Sequence, residues 1–285
     1  MILIKSHGLG NDYLVLHESS LPMTPARVRL LCDRHVGVGG DGVLEKLPGA
    51  RADYGLRIWN PDGSTAEKSG NGLRIFARYL VDHCGAPARF TVSVESGVVG
   101  CHVEPEAVTV QMGRATFEPQ AVPCTRPLDQ HPVSICGVTL PLTAVGVGNP
   151  HCVVFFPPET DLDALPWRQW GAVLESHPLF PNRTNVQFAR VVAPDTIELR
   201  IWERGAGETA ASGSSSCAVA AAAFFQGRVG SGAAGESPVI CLRMPGGVLA
   251  VEVSSELELT LRGPVQEVGR FVLSPVFLGM VRKVG

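Results

Sequence analysis

The chain has 285 residues, a formal net charge of −3, 45% hydrophobic and 18% charged residues, which is the composition of a folded globular protein with one large domain or two ordinary ones. Without an excess of basic residues nucleic acid is not an expected partner, and no apolar run approaches the roughly 20 residues that cross a bilayer. The 32 glycines and 22 prolines favour many short strands and tight turns over a helical bundle.

In chain order, apolar segments at 2–4 and 14–16 read as strands on either side of G-L-G-N at 8–11. G-V-G-G-D-G at 37–42 is glycine-rich but does not lead from a strand into a helix with nucleotide-binding spacing, and G-K-[ST] is absent. A helix is expected over 70–83, where Leu73, Phe76, Ala77 and Leu80 recur at the spacing of a buried stripe. Strands follow at 92–94 and 109–112, and prolines at 119, 123, 127 and 132 mark 117–132 as a linker. In the second half strands are expected at 152–156, 186–192 and 197–202, then an alanine-rich helix over 214–225 that is apolar enough to be buried on most sides. The opening M-I-L-I-K-S-H-G lacks the layout of a signal peptide, so a cytoplasmic location is the expectation. The eight cysteines (32, 84, 101, 124, 136, 152, 217 and 241) form no C-x-x-C pair and no metal-ligand spacing; buried free thiols and no bound metal are expected.

The chain also repeats itself. L-R-I-W begins at 56 and at 199, each time thirteen residues before a Ser-Gly pair, at Ser69 and Ser212. G-L-G-N-D-Y-L-V-L at 8–16 is echoed by G-V-G-N-P-H-C-V-V at 146–154. Two matches in the same order, 143 and 138 residues apart, point to an internal duplication with two copies of one α/β unit.

Each Ser-Gly pair stands where a helix is expected to begin. A helix start carries unpaired backbone N–H groups and a partial positive charge, and small residues leave it open to a carboxylate. Two such mouths, S-G-N-G at 69–72 and S-G-S-S at 212–215, would grip one carboxylate and stabilise negative charge developing beside it. An ordinary N-cap role explains one such serine easily, but matched positions in both halves favour a shared site. Asn11, Asn60, Asn149 and Asn185 occupy turns beside strands, where asparagine is also a common turn former. Glu203 and Arg204 follow a strand, as a surface ion pair or as site residues. His151 is either a satisfied loop histidine or an acid/base group.

Taken together, H-G-L-G-N-D-Y (7–13), D-R-H-V-G-V-G-G-D-G (33–42), N-P-D-G-S-T-A-E-K-S-G-N-G-L-R (60–74), G-N-P-H (148–151), N-V-Q-F (185–188) and E-R-G-A-G-E-T (203–209) resemble the diaminopimelate epimerases, in order and over nearly the whole chain. The resemblance implies an α/β (α+β) fold of two pseudosymmetric halves, each a mostly antiparallel β-barrel or sheet around a central helix, with the active site in the cleft between them. The halves are expected at 1–118 and 119–269, with a C-terminal strand at about 270–285 packing back on the first. It further implies a cofactor-independent isomerase of lysine and amino-acid biosynthesis that inverts an α-carbon with one base on each face. Asn11, Asn60, Asn185 and Arg204 match the positions that hold the distal end of the substrate. The backbone at Gly70, Asn71, Gly213 and Ser214 matches the clamp on the α-carboxylate. His151 and Glu203, with Asn149 beside them, match the polar groups near the bases. The family's frequent dimers make a homodimer an expectation here.

The family's two bases are cysteines, and the matching positions here are Ser69 and Ser212. A thiol ionises near pH 8.5 and lower at a helix mouth, whereas a hydroxyl is a far weaker acid and acts only with a neighbouring proton acceptor. Three readings follow: a natural family member whose serines are assisted or whose reaction differs, a Cys-to-Ser variant of an ordinary epimerase, or a catalytically impaired homologue that binds an amino acid without epimerising it.

Overall fold

The computed structural model describes residues 1–230 and 237–284. The chain divides into two compact units, Met1–Val110 with Gly263–Gly285, and Gln111–Arg262. In the first, β1 (Ile2–Gly8) and β2 (Asn11–Glu18) form an antiparallel hairpin, and α1 (Pro25–Cys32) carries the chain to β3 (Val43–Leu47), parallel to β2. The strand β4 (Tyr54–Trp59) returns beside β3, and the two-residue β5 (Thr65–Ala66) folds back on its end. The helix α2 (Gly70–Cys84) then crosses to β6 (Arg89–Val94), parallel to β4, and β7 (Gly97–Val103) and β8 (Val108–Arg114) follow as a meander. Parallel neighbours cannot be joined by a tight turn. The two helices are therefore the crossovers that the two parallel pairs require.

The second unit repeats this order. After β9 (His131–Ile135), β10 (Val138–Gly146) and β11 (Pro150–Phe156) make the hairpin, α3 (Trp167–Glu175) is the first crossover, and β12 (Asn185–Ala193) runs parallel to β11. Then come β13 (Thr196–Glu203), the short β14 (Gly207–Thr209) folded on its end, and α4 (Gly213–Phe225) as the second crossover. The strand β15 (Val239–Met244) lies parallel to β13, followed by β16 (Gly247–Val253) and β17 (Glu258–Gly263). The chain ends with β18 (Gln266–Val272), which flanks β1 as β9 flanks β10, and α5 (Pro275–Lys283). The repeated L-R-I-W falls in β4 and β13, and the repeated G-x-G-N falls in the β1–β2 and β10–β11 turns.

Each second crossover helix lies inside its own curled sheet. The helix α2 packs on β1, β2 and β7, and α4 packs on β10, β11, β12, β15 and β16. Alanine is the best helix former and lets strands approach closely, and Ala218 and Ala220–Ala223 are fully buried. The second unit adds an aromatic core of Trp167, Trp170, Phe180 and Phe188. In the first unit α1 and α5 cover Leu3, Leu14 and Val43, with Leu31 of α1 and Val281 of α5 buried among them.

Two expectations are corrected. The 117–132 segment is not a free linker, because Val122 and Leu128 are buried in the core of the second unit and Leu128 O accepts from Ala144 N. Its prolines set turns in a packed segment. The expected strand at about 270–285 is strand only to Val272, since Ser274 caps a helix with Pro275 at its first turn, a start signal stronger than the apolar content suggested. Among the described residues no helix is long and apolar enough to cross a membrane.

Phe188→Ala should cost about 3–5 kcal/mol in denaturant unfolding, as expected for an aromatic deleted from a close-packed core. Val276→Ser, at a side chain 79% exposed, should stay within about 0.5 kcal/mol of the unaltered chain.

Candidate active site

Each unit carries one half-site, built at the point where its short strand hands the chain to its central helix. In the first unit β5 ends at Ala66, and Ser69, three residues on, is the N-cap of α2 with extended backbone (φ −140°, ψ 119°). Its Oγ accepts the Gly72 N–H at 3.0 Å. That satisfies the third amide of the helix, while the Gly70 and Asn71 amides ahead of it have no intrahelical acceptor. The Tyr13 hydroxyl lies 3.3 Å from Ser69 Oγ.

The floor of this half-site is a linked set of polar side chains. Asn71 donates to Asn11 Oδ1 at 3.1 Å, and Asn11 donates to Asp41 Oδ2 at 2.8 Å. The fully buried Arg74 donates to Asn71 Oδ1 at 2.8 Å and to Gly70 O at 3.4 Å. Gly8 makes room for it, because a Cβ there would lie 2.9 Å from the guanidinium. Below, Asp12 is bridged by Lys5 and Arg34, and Arg34 also reaches Asp41. Burial alone would raise the Asp12 carboxyl, but the hydrogen bonds from Arg34 and Lys5 outweigh it and hold it at about 2. Asn60 stands apart from this set, with its amide hydrogen-bonded within its own turn to Ser64 Oγ at 2.9 Å.

In the second unit β14 ends at Thr209, and Ser212, again three residues on, caps α4 (φ −145°, ψ 128°). Its Oγ is 3.5 Å from both the Ser215 amide and Ser214 Oγ. The Gly213 and Ser214 amides are the two without intrahelical acceptors. The Ser216 hydroxyl donates to Ser212 O at 2.8 Å and steadies the first turn.

The surrounding polar set is neutral here. Gln187 Nε2 donates to Ser215 Oγ at 3.0 Å and to His151 Nδ1 at 3.1 Å. With Nδ1 accepting, the His151 proton sits on Nε2 and is donated to Asn149 Oδ1 at 2.8 Å. His151 is completely buried, and that burial, assisted by the Arg204 cation, lowers its pKa to about 3. Asn185 donates to Pro150 O at 2.9 Å and accepts the Arg204 N–H at 3.0 Å, so it ties β11 to the end of β13. Glu203 is the last residue of β13, and the Arg204 guanidinium donates to Asn182 O at 3.2 Å. Among the described residues no three His, Cys, Asp or Glu side chains converge as a metal site.

The residues singled out from the sequence thus fall into two groups. Asn11, Ser69, Gly70 and Asn71 come together at the mouth of α2 in the first unit, with Asn60 in a separate turn. In the second, Ser212, Gly213 and Ser214 form the mouth of α4. Asn149 and His151 are linked to it through Gln187 and Ser215, and Asn185 is bonded to the Arg204 backbone. Tyr13, Arg74, Gln187 and Ser215 were not among the candidates. The signal for Gln187 was available: an amide between Val186 and Phe188 in a strand buried on both faces has to serve a polar partner.

Comparison with known proteins gives a consistent answer. The family model for diaminopimelate epimerase matches residues 3–118 and 143–268. The chain is 39% identical to diaminopimelate epimerase 2 of Nostoc sp., over 96% of this chain and 96% of the relative. It is 38% identical to the diaminopimelate epimerase of Pelotomaculum thermopropionicum, over 94% of this chain and 97% of the relative. A hydroxyproline epimerase from Agrobacterium vitis, solved with trans-4-hydroxy-L-proline bound, has the same fold, with a TM-score of 0.69 and 17% identity over 97% of this chain and 94% of that one.

The depressed His151 pKa has a consequence for stability. The unfolded imidazole ionises near 6.5, so between about 3 and 6.5 the unfolded chain binds a proton that the folded chain refuses. Stability that is complete above that window should fall as pH drops through it, by up to about 1.4 kcal/mol per pH unit. His151→Gln, which takes up no proton, should flatten this part of the unfolding free energy measured against pH.

Proposed function

The chain belongs to the diaminopimelate epimerase family, and from that premise we propose that it is a cofactor-independent isomerase that inverts the α-carbon of a diaminopimelate-type amino acid. The observation that carries the reading is the duplicated half-site: in each unit a serine Oγ caps a buried helix and leaves two unpaired amides in front of it. In this reading the Gly70, Asn71, Gly213 and Ser214 amides hold the α-carboxylate. Asn11, Asn60, Asn185 and Arg204 hold the distal amino-acid end. Glu203 and Asn149 bind the amino group, and His151, with both ring nitrogens engaged, acts by fixing Asn149.

Removing the α-proton leaves an electron pair on Cα that delocalises into the carboxylate and gives it a second negative charge. Helix-start amides are aimed where that charge develops, and burial of the helices keeps their dipoles from being screened. Ser69 Oγ and Ser212 Oγ stand at the two base positions, and inversion requires them to address opposite faces of one α-carbon. Oxygen at both positions also favours a second reading, in which the clamp binds the amino acid and the proton does not move.

Calorimetry with a panel of zwitterionic amino acids should find diaminopimelate among the binders, and no binding by any of them would remove the clamp. The double variant Ser69→Cys, Ser212→Cys should epimerise faster than the unaltered chain, because thiolates at helix mouths are usable bases near neutral pH. A double variant that binds the amino acid and stays inert would contradict the assignment of these two positions.

A further inference from the structure

If Ser69 is to take a proton from carbon, something has to take the proton that Ser69 already carries. The structure puts one group against that hydroxyl: the Tyr13 phenol, 3.3 Å from Ser69 Oγ. We infer that Tyr13 is the proton-accepting partner of Ser69, so that one face of the site works as a tyrosine–serine pair; this rests on the isomerase reading above.

The geometry around the phenol is built for contact with Ser69. Tyr13 lies in β2, opposite Ser6 of β1, and is 6% exposed. Gly42, whose carbonyl accepts the Leu14 N–H at 3.0 Å, runs directly beside the ring. A Cβ at Gly42 would fall 2.7 Å from Tyr13 Cε1 and 2.2 Å from Trp59 O, so only glycine lets the ring sit there. Gly42 is therefore required by the Trp59 carbonyl and the Tyr13 ring together, with no nucleotide invoked. The capping geometry leaves the serine correctly valenced for a relay. Ser69 Oγ spends one lone pair on the Gly72 amide. Its hydrogen is available to Tyr13 and its second lone pair to the substrate.

The step balances without any further reagent. Ser69 Oγ takes the proton from Cα as the Ser69 hydroxyl proton passes to the Tyr13 phenolate; the C–H bonding pair stays on Cα and spreads into the carboxylate. In the reverse direction Ser69 donates to Cα as the Tyr13 phenol reprotonates Ser69, which leaves the phenolate from which the forward step begins; the phenol that the forward step leaves gives its proton to solvent before the next abstraction. A phenol ionises near 10, so it is a more accessible base than an alkoxide. The second half-site has a different neighbour, with the Ser214 hydroxyl 3.5 Å from Ser212 Oγ. The two faces are accordingly unequal.

The test compares Tyr13→Phe in two backgrounds, reading α-proton exchange of diaminopimelate in deuterated water, its binding affinity, and the thermal melt. Phenylalanine keeps the ring beside Gly42 and removes only the hydroxyl. With Ser69 in place, exchange should fall by about 100-fold, the low end for loss of an acid/base partner, with affinity within about twofold. In the Ser69→Cys background the thiolate needs no phenol, so the same change should cost less than about threefold. An equal loss in both backgrounds would make Tyr13 a structural residue and overturn the inference. Full exchange in Tyr13→Phe with Ser69 would overturn it also, while leaving the isomerase reading intact. An unaltered chain that binds diaminopimelate and exchanges no α-proton would overturn both.

Discussion

A helix buried along its body but bare at its first turn is the constraint on which both units are built. The body of α4 is enclosed by five strands and that of α2 by three, while Gly70, Asn71, Gly213 and Ser214 offer their amides to no intrahelical acceptor. Unpaired amides at a buried helix end are unfavourable unless something anionic meets them. The rest of each unit follows from holding that end in place. A parallel strand pair forces a crossover, the crossover is the helix, and a strand of two or three residues delivers the chain to its cap. The capping serine completes the arrangement. By taking the third amide for itself it fixes the helix start without filling the position of the first two.

The halves share a backbone plan and differ in electrostatics. Around Ser69 the supporting set is ionic: Lys5, Arg34, Asp12 and Asp41 beneath Asn11, with Arg74 buried against Asn71. Around Ser212 it is neutral, a chain of Asn149, His151, Gln187 and Ser215 in which the imidazole is kept uncharged by burial. Gln187 spends its amide donor on two acceptors, and its Oε1 has no hydrogen-bond partner among the described residues.

Much of this was legible in the sequence, for physical reasons that differ by element. The helices α2 and α4 announced themselves through an apolar stripe and an alanine run, and the start of α2 could be placed to the residue and that of α4 to within one. The repeats were visible because β4 and β13 each bury the leucine and isoleucine of L-R-I-W. Other elements gave no periodic signal: β5 and β14 are too short to alternate, and α1 and α5 follow Thr-Pro and Ser-Pro starts in segments of mixed polarity. The 117–132 segment misled because proline content speaks to local turns, whereas Val122 and Leu128 are drawn into the core by partners distant in sequence. Within the site, the helix mouths and the asparagines and histidine behind them were found, while Tyr13, Arg74, Gln187 and Ser215 were not. Tyr13 reaches Ser69 with its ring lying beside the bare Gly42, a relation between three distant positions that no local pattern encodes.

What separates an enzyme from a binder here is whether the Ser69 and Ser212 hydroxyls can move the α-proton. The capped, buried helices serve either outcome, and the two differ only in whether the α-proton moves. Incubation with diaminopimelate in deuterated water, followed by proton NMR at the α-carbon, reads the step itself. Loss of the α-proton signal with label appearing in a newly formed stereoisomer is the expected result; full retention of the α-proton in a substrate shown by calorimetry to be bound would contradict the account.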